Sequence, residues 1–287
     1  MRLKVQHYFV LLLLSGPFIS PQSMAKGPSK IPFELCQEYL VVVKGSVGQI
    51  TNIRMVIDTG ALCTVITNQK IVEQLGLKSE KVEAVDPFGP KRMVEEVILP
   101  SFRLGPLRAK AMRMMVTDLY NHHRKSTPFD LIIGLDILRQ VPRFVIDYEN
   151  RVIHFGTSEL LPDVTSFEPG SGFIVVPLFQ SGKKLRLAID TGAAHPVLYQ
   201  ECVEKHQLQP KMTKIRYVQN GREIIQQRGV LLNRVQFGST QWKTFEVFLL
   251  ETAAPEEFDF DGFLSPRRLG LKKIFFDFSR QLLSWKR

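Results

Sequence analysis

Met55-Val56-Ile57-Asp58-Thr59-Gly60-Ala61 and Leu187-Ala188-Ile189-Asp190-Thr191-Gly192-Ala193 share one pattern: an apolar run, then Asp-Thr-Gly, then Ala. A single such tripeptide carries little weight, because Asp and Gly are ordinary turn residues at a strand end. At average amino-acid usage it arises by chance in roughly a few per cent of chains this long. Two copies in matching settings point to a duplicated unit that brings two carboxyl groups to one place.

The repetition runs well beyond the tripeptides, as a search for internal repeats shows. Phe129-Asp130-Leu131-Ile132-Ile133-Gly134-Leu135 lies over Phe260-Asp261-Gly262-Phe263-Leu264-Ser265-Pro266 without a gap, and the interval from each Asp-Thr-Gly aspartate differs by one position. Farther on, Phe144-Val145-Ile146-Asp147 matches Phe275-Phe276-Asp277 loosely, and Phe102-Arg103-Leu104-Gly105 resembles Val235-Gln236-Phe237-Gly238. The chain reads as two copies of one fold.

Length and composition agree with that reading. The 287 residues suit one large or two small domains, and an apolar content of 44% is enough for cores. The expected boundaries are a first lobe over residues 39–156, a linker over 157–172 and a second lobe over 173–287. The linker is polar, carries two Pro and ends in Gly170-Ser171-Gly172. Arg2 and Lys4 precede the apolar run Phe9–Leu14, and a polar stretch then ends at Ala25. That order is the one expected of a signal peptide over residues 1–25, so the protein is expected to be exported, periplasmic or secreted. The run is far short of the ~20 residues that span a bilayer.

Three cysteines, Cys36, Cys63 and Cys202, permit at most one internal bridge. Cys63 and His195 hold equivalent places after the two Asp-Thr-Gly loops, so neither looks like half of a repeated disulfide, and Cys63 reads as a buried apolar thiol. The formal charge of +10 falls by two if Arg2 and Lys4 leave with the leader. Its short basic clusters are not interleaved with aromatics, so no nucleic-acid partner is expected; a solvated basic surface is the plainer reading. His122-His123 have no carboxylate or cysteine at ligand spacing, and neither a metal nor a cofactor is expected.

The local patterns are mostly those of strands. Leu40–Val43, Ile53–Ile57, Phe173–Val176 and Leu185–Ile189 are apolar or β-branched runs bounded by turn residues, with Gln180–Lys184 as a hairpin turn. One short helix per copy is expected, over about Asn68–Leu75 with Thr67 as cap and over about Gln200–Gln207. Another is expected over Asp136–Gln140, with a counterpart near Arg267–Leu269.

The motifs at 56–61, at Ile132–Leu138 and at Val145–Tyr148 together resemble the retropepsin-like aspartic proteases, the first copy especially their bacterial members. The resemblance covers nearly all of the chain after the leader. It implies an all-β protein of two tandem β-barrel lobes related by a pseudo-twofold axis, similar to the bilobal pepsin arrangement and monomeric as a pseudo-dimer. It implies Asp58 and Asp190 as catalytic residues of an aspartic endopeptidase, Thr59 and Thr191 fixing the two loops across the axis, and a peptide or protein as substrate.

The chemistry can be stated without the family. Two adjacent carboxyls cannot both ionise cheaply, so they share a proton and act as base and acid at one pH. A water between them is thereby activated for attack on an amide. Gly60 and Gly192 let backbone N–H groups approach the carboxylates. Ala61 and Ala193 offer no hydroxyl to stabilise the charged form, which predicts activity nearer neutral than strongly acid pH. Substrate-covering flaps are expected at Phe88 and Gly89 and at Gln219, Asn220 and Gly221, the latter with an Asn-Gly hairpin signal. One departure is Ser265-Pro266 where the first copy has Gly134-Leu135. It keeps open a non-catalytic peptide-binding protein of the same bilobal fold, or lobes that complete a site in trans.

Overall fold

The structure, a computed structural model, describes residues 12–13, 30–85, 91–117, 129–158, 160–168, 172–220 and 223–287. The molecule is nearly all strand, arranged as two barrel lobes and a sheet that both halves build.

Each lobe forms around the strand that leads into its Asp-Thr-Gly loop. In the first, Ile50–Ile57 pairs antiparallel with Leu40–Val47 and parallel with Leu131–Ile133, Ile57 standing opposite Ile133. In the second, Lys183–Ile189 pairs antiparallel with Val175–Gln180 and parallel with Gly262–Leu264, Ile189 opposite Leu264. The expected hairpin turn closes on Ser181 and Gly182, whose φ angles of 50° and 83° give the double left-handed turn that suits the twist of paired strands. Phe173 and Ile174 precede that strand rather than belonging to it.

The inserted strand is apolar because it is buried on both faces. Leu131, Ile132 and Ile133 are at most 1% exposed, and so are Phe263 and Leu264. Burying side chains of this size stabilises by about 1.5–3 kcal/mol each. The same strand also pairs antiparallel with Val65–Ile66 in the first lobe and with Val197–Tyr199 in the second, so it threads between two neighbours.

The third sheet joins the halves. Arg143–Asp147 pairs antiparallel with Lys273–Asp277, with Val145 opposite Phe275 at the centre. Val152–Phe155 and Lys30–Pro32 extend it on one side, Leu282–Lys286 and Asp163–Ser166 on the other. Phe144 and Phe276, register partners, stack at 4.6 Å. Two ion pairs repeat about the same centre: Arg143 with Asp277 at 3.3 Å and Lys273 with Asp147 at 3.0 Å. The stretch expected as a linker therefore contains a strand of this shared sheet, and residues ahead of Tyr39 contribute another.

The helices are shorter than their sequence patterns. Gln69–Gln74 is capped by Asn68, whose side chain accepts the Lys70 N–H at 3.2 Å. Thr67 is not the cap; it is buried and its hydroxyl donates to the Phe129 carbonyl. Gln200–Lys205 and Leu135–Leu138 are the other helices among the described residues. Arg267–Leu269 forms only a turn, closed by bonds from Leu269 to Ser265 at 3.3 Å, Gly270 to Arg267 at 3.1 Å and Leu271 to Pro266 at 3.2 Å, and Gly270 at a φ of 74° ends it. Among the described residues no helix is long and apolar enough to cross a membrane. Leu12–Leu13 pairs antiparallel with Ser79–Val85, Leu12 opposite Val85.

Candidate active site

Two equivalent backbone bonds hold the aspartates. The N–H of Asp58 donates to Ile133 and that of Asp190 to Leu264, each at 3.0 Å, so each loop is tied to the end of its inserted strand. The loops then lock to each other. Thr59 N–H donates to the Thr191 hydroxyl oxygen at 3.0 Å and Thr191 N–H to the Thr59 hydroxyl oxygen at 3.2 Å. Each hydroxyl donates in turn to the strand across the axis, Thr59 to Ile189 at 2.7 Å and Thr191 to Ile57 at 2.8 Å. All four bonds are buried and join residues some 130 positions apart, between the two copies.

This lock brings the carboxyls together. Gly60 N–H donates to Asp58 Oδ1 and Gly192 N–H to Asp190 Oδ1, both at 2.8 Å. A Cβ added to Gly60 would lie 2.4 Å from the Asp190 carboxyl carbon, and one added to Gly192 would lie 2.4 Å from Asp58 Oδ2. Only glycine leaves room for the opposite carboxyl. Both aspartates are fully buried, and neither Oδ2 meets an N–H or O–H donor among the described residues. The other carboxyl faces it, and a shared proton is what satisfies two such acceptors.

Burial is the main cause of the electrostatics. It pushes Asp190 up to about 7, against hydrogen bonds from Asp58 and from the Gly192 and Ala193 N–H groups. Burial, then the charge of Asp190, raises Asp58 well above the ordinary carboxylate range. The titration belongs to the pair. Each carboxyl has two backbone N–H groups acting on it, Gly60 and Gly192 on Asp58, Gly192 and Ala193 on Asp190, so one shared proton leaves one member of the pair as base and the other as acid.

Beneath the first loop, Gly134 is required by space: a Cβ there would lie 2.6 Å from the Cys63 carbonyl carbon and oxygen. Leu135 N–H donates to the Ala61 carbonyl at 2.8 Å. In the second lobe Pro266 replaces Leu135 and has no N–H to give. Ser265 supplies the missing donor, its hydroxyl reaching the Ala193 carbonyl at 2.7 Å. The Ser-Pro departure is thus one compensated change.

A further support escaped the sequence reading. Asp136 accepts the Thr64 N–H at 2.9 Å and the Thr64 hydroxyl at 2.7 Å, clamping the chain just beyond the first loop. Burial holds Asp136 up at about 6 in spite of these bonds. Its equivalent in the second copy is Arg267, so repeat comparison alone gave no signal.

Of the other expected site residues, Gln219 and Asn220 end the strand Lys211–Asn220, which pairs with Glu223–Phe237 so that Asn220 stands opposite Glu223. Phe88, Gly89 and Gly221, like His122 and His123, lie outside the described residues. Cys63 is buried, and no cysteine is in a disulfide. His195 meets the Phe248 ring edge-on at 5.1 Å.

Residues 43–137, about a third of the chain and most of the first lobe, match the family model described as aspartyl protease. Over these residues the first lobe is similar to aspartyl proteases, and that similarity supports a protease-type function. No curated protein matches the chain.

Proposed function

We propose that the chain is an aspartic endopeptidase in which Asp58 and Asp190 activate one water. The observation that carries this reading is the reciprocal Thr59–Thr191 lock, which sets two buried carboxyls against each other with only glycine between them. Asp190 takes a proton from the water as its oxygen bonds to the amide carbon, and Asp58 gives its proton to the carbonyl oxygen. The resulting gem-diol collapses as the C–N bond breaks. Asp190 passes its proton to the departing nitrogen, a hydroxyl proton of the gem-diol returns to Asp58, and the pair ends with one proton, as it began. Proton transfer of this kind contributes roughly 10²–10⁴-fold, and holding water and amide in line adds to it.

Both carboxyls are closed to solvent, so a substrate must gain access to them. Phe88 and Gly89 and Gln219, Asn220 and Gly221 are the residues proposed to cover a bound peptide. Residues 1–25 act as a signal peptide, so the enzyme works outside the cytoplasm, as a monomer whose two halves supply one aspartate each. Incubation with a peptide library, followed by mass spectrometry of new termini, tests the reading. Internal cleavage that persists in the presence of chelator is expected. Binding of peptides without new termini would replace the endopeptidase with a binding protein of the same fold.

A further inference from the structure

The helices Gln69–Gln74 and Gln200–Lys205 share a frame but not their side chains. Ile71-Val72-Glu73-Gln74-Leu75 answers Cys202-Val203-Glu204-Lys205-His206. The backbone agrees bond for bond: Leu75 N–H to Ile71 at 3.1 Å against His206 to Cys202 at 3.0 Å, and Leu77 to Val72 at 3.1 Å against Leu208 to Val203 at 2.8 Å. Beside each helix stands an equivalent aspartate with the same structural task. Asp130 accepts the Arg54 N–H and Asp261 the Arg186 N–H, both at 2.8 Å. In the first copy the two helix positions are Ile71 and Leu75, and Asp130 also accepts from the Asn68 side chain at 2.8 Å. In the second, the same two positions, four apart on one helix face, are a thiol and an imidazole.

Both converge on the aspartate. Cys202 Sγ, a ring nitrogen of His206 and a carboxylate oxygen of Asp261 all lie within 4.8 Å of one another. His206 Nε2 is 3.0 Å from Asp261 Oδ2, while Lys205 Nζ holds Oδ1 at 2.8 Å. Cys202 is 1% exposed and Asp261 3%, and the half-buried imidazole opens the cluster to solvent.

We propose that Cys202, His206 and Asp261 form a zinc site peculiar to the second lobe, completed by a water at the exposed side. Thiolate, neutral imidazole and carboxylate are zinc's own donor types. Zinc bonds of ~2.0–2.3 Å place tetrahedral donors roughly 3.3–3.8 Å apart, and the three donor atoms here already lie within 4.8 Å of one another. Lys205 on Oδ1 and the Arg186 N–H on Oδ2 fix the carboxylate from outside, as second-layer partners of metal ligands do, and the side of Oδ2 that faces His206 Nε2 at 3.0 Å is the one offered to the metal. Binding replaces the thiol proton, which is released to solvent. The site clips the helix to the start of the inserted strand, apart from the Asp58–Asp190 pair.

Titration of the chelator-stripped full chain with Co(II) tests this. A thiolate-to-cobalt charge-transfer band in the near ultraviolet is expected, with loss of the band on adding zinc and a higher melting temperature with either metal. Cys202→Ser should remove the band. The double variant Cys202→Ile, His206→Leu, which copies the first lobe's pair, should fold and lose both the band and the thermal shift. A wild-type chain without the band, or a band that survives in Cys202→Ser, would overturn the proposal, the latter by placing the metal on another thiol.

Discussion

Ser265 donates its hydroxyl to the Ala193 carbonyl at 2.7 Å, in the place where the first lobe uses the Leu135 backbone N–H on Ala61 at 2.8 Å. The exchange ties two departures from the repeat together: a proline that removes a donor and a serine that restores one. Ser265→Ala should therefore cost about 1–3 kcal/mol, the range for a buried acceptor left unpaired. The double change Ser265→Gly, Pro266→Leu should recover most of it. Denaturant unfolding of the three chains measures this, and equal stability of Ser265→Ala and wild type would show that the bond does not matter.

The threonine lock makes a sharper demand. Each hydroxyl both donates and accepts, so Thr59→Ala or Thr191→Ala strands two buried groups and should cost roughly 2–4 kcal/mol. Thr→Ser at either place keeps the bonds and should stay close to wild type. Melting temperature and peptide cleavage should fall together in the alanine variants, because the same bonds set the distance between the carboxyls.

Stability should have two pH limbs. Asp147 and Asp277 are held below the ordinary carboxylate range, because bonds from Asn150 and Lys273, and from Ser279, Arg280 and Arg143, outweigh the opposing effect of burial. Their contribution is in place above the unfolded value of about 3.9 and is lost as pH falls through the lower folded values. The buried pair has the opposite sign. Asp190, raised to about 7, binds a proton in the folded state that the unfolded chain has already released, so stability falls as pH rises between the two values. Asp190→Asn should melt higher than wild type at pH 8, with the gap closing toward pH 5. Asp58, itself raised by burial, and Asp136, raised to about 6, should leave a residual slope in the variant. A pH-independent gap would contradict this assignment.

Activity should follow the same pair. With one proton shared between carboxyls that burial raises, the competent state persists toward neutral pH, and no hydroxyl at Ala61 or Ala193 pulls it down. A kcat/KM profile with its optimum above about pH 4 is expected. Ala61→Ser and Ala193→Ser should move the upper limb to lower pH.

Much of this was legible in the chain because the duplication prints each constraint twice. Asp-Thr-Gly and the apolar strand that ends at Gly134 or Ser265 recur at near-equal spacing, and their pairings in the two lobes are the same. What repetition does not carry was missed. Lys30–Pro32 and Asp163–Ser166 are three- and four-residue strands made by tertiary pairing, too short and too polar to announce themselves. Thr67 suits a cap by residue type, yet its hydroxyl is drawn inward to Phe129 while Asn68 does the capping. The Thr64–Asp136 clamp exists in one lobe only. Cys202 and His206 leave a signal, a four-residue spacing on a helix, but its third member, Asp261, lies beyond a long hairpin and matches Asp130 in the repeat.

The most direct test is the rate of peptide cleavage by Asp58→Asn, Asp190→Asn and the double variant, each shown to be folded. If the two carboxyls act as one unit on one water, either single change should abolish cleavage, and the double change should do no further harm. A single variant that keeps most of the wild-type rate would contradict a shared centre.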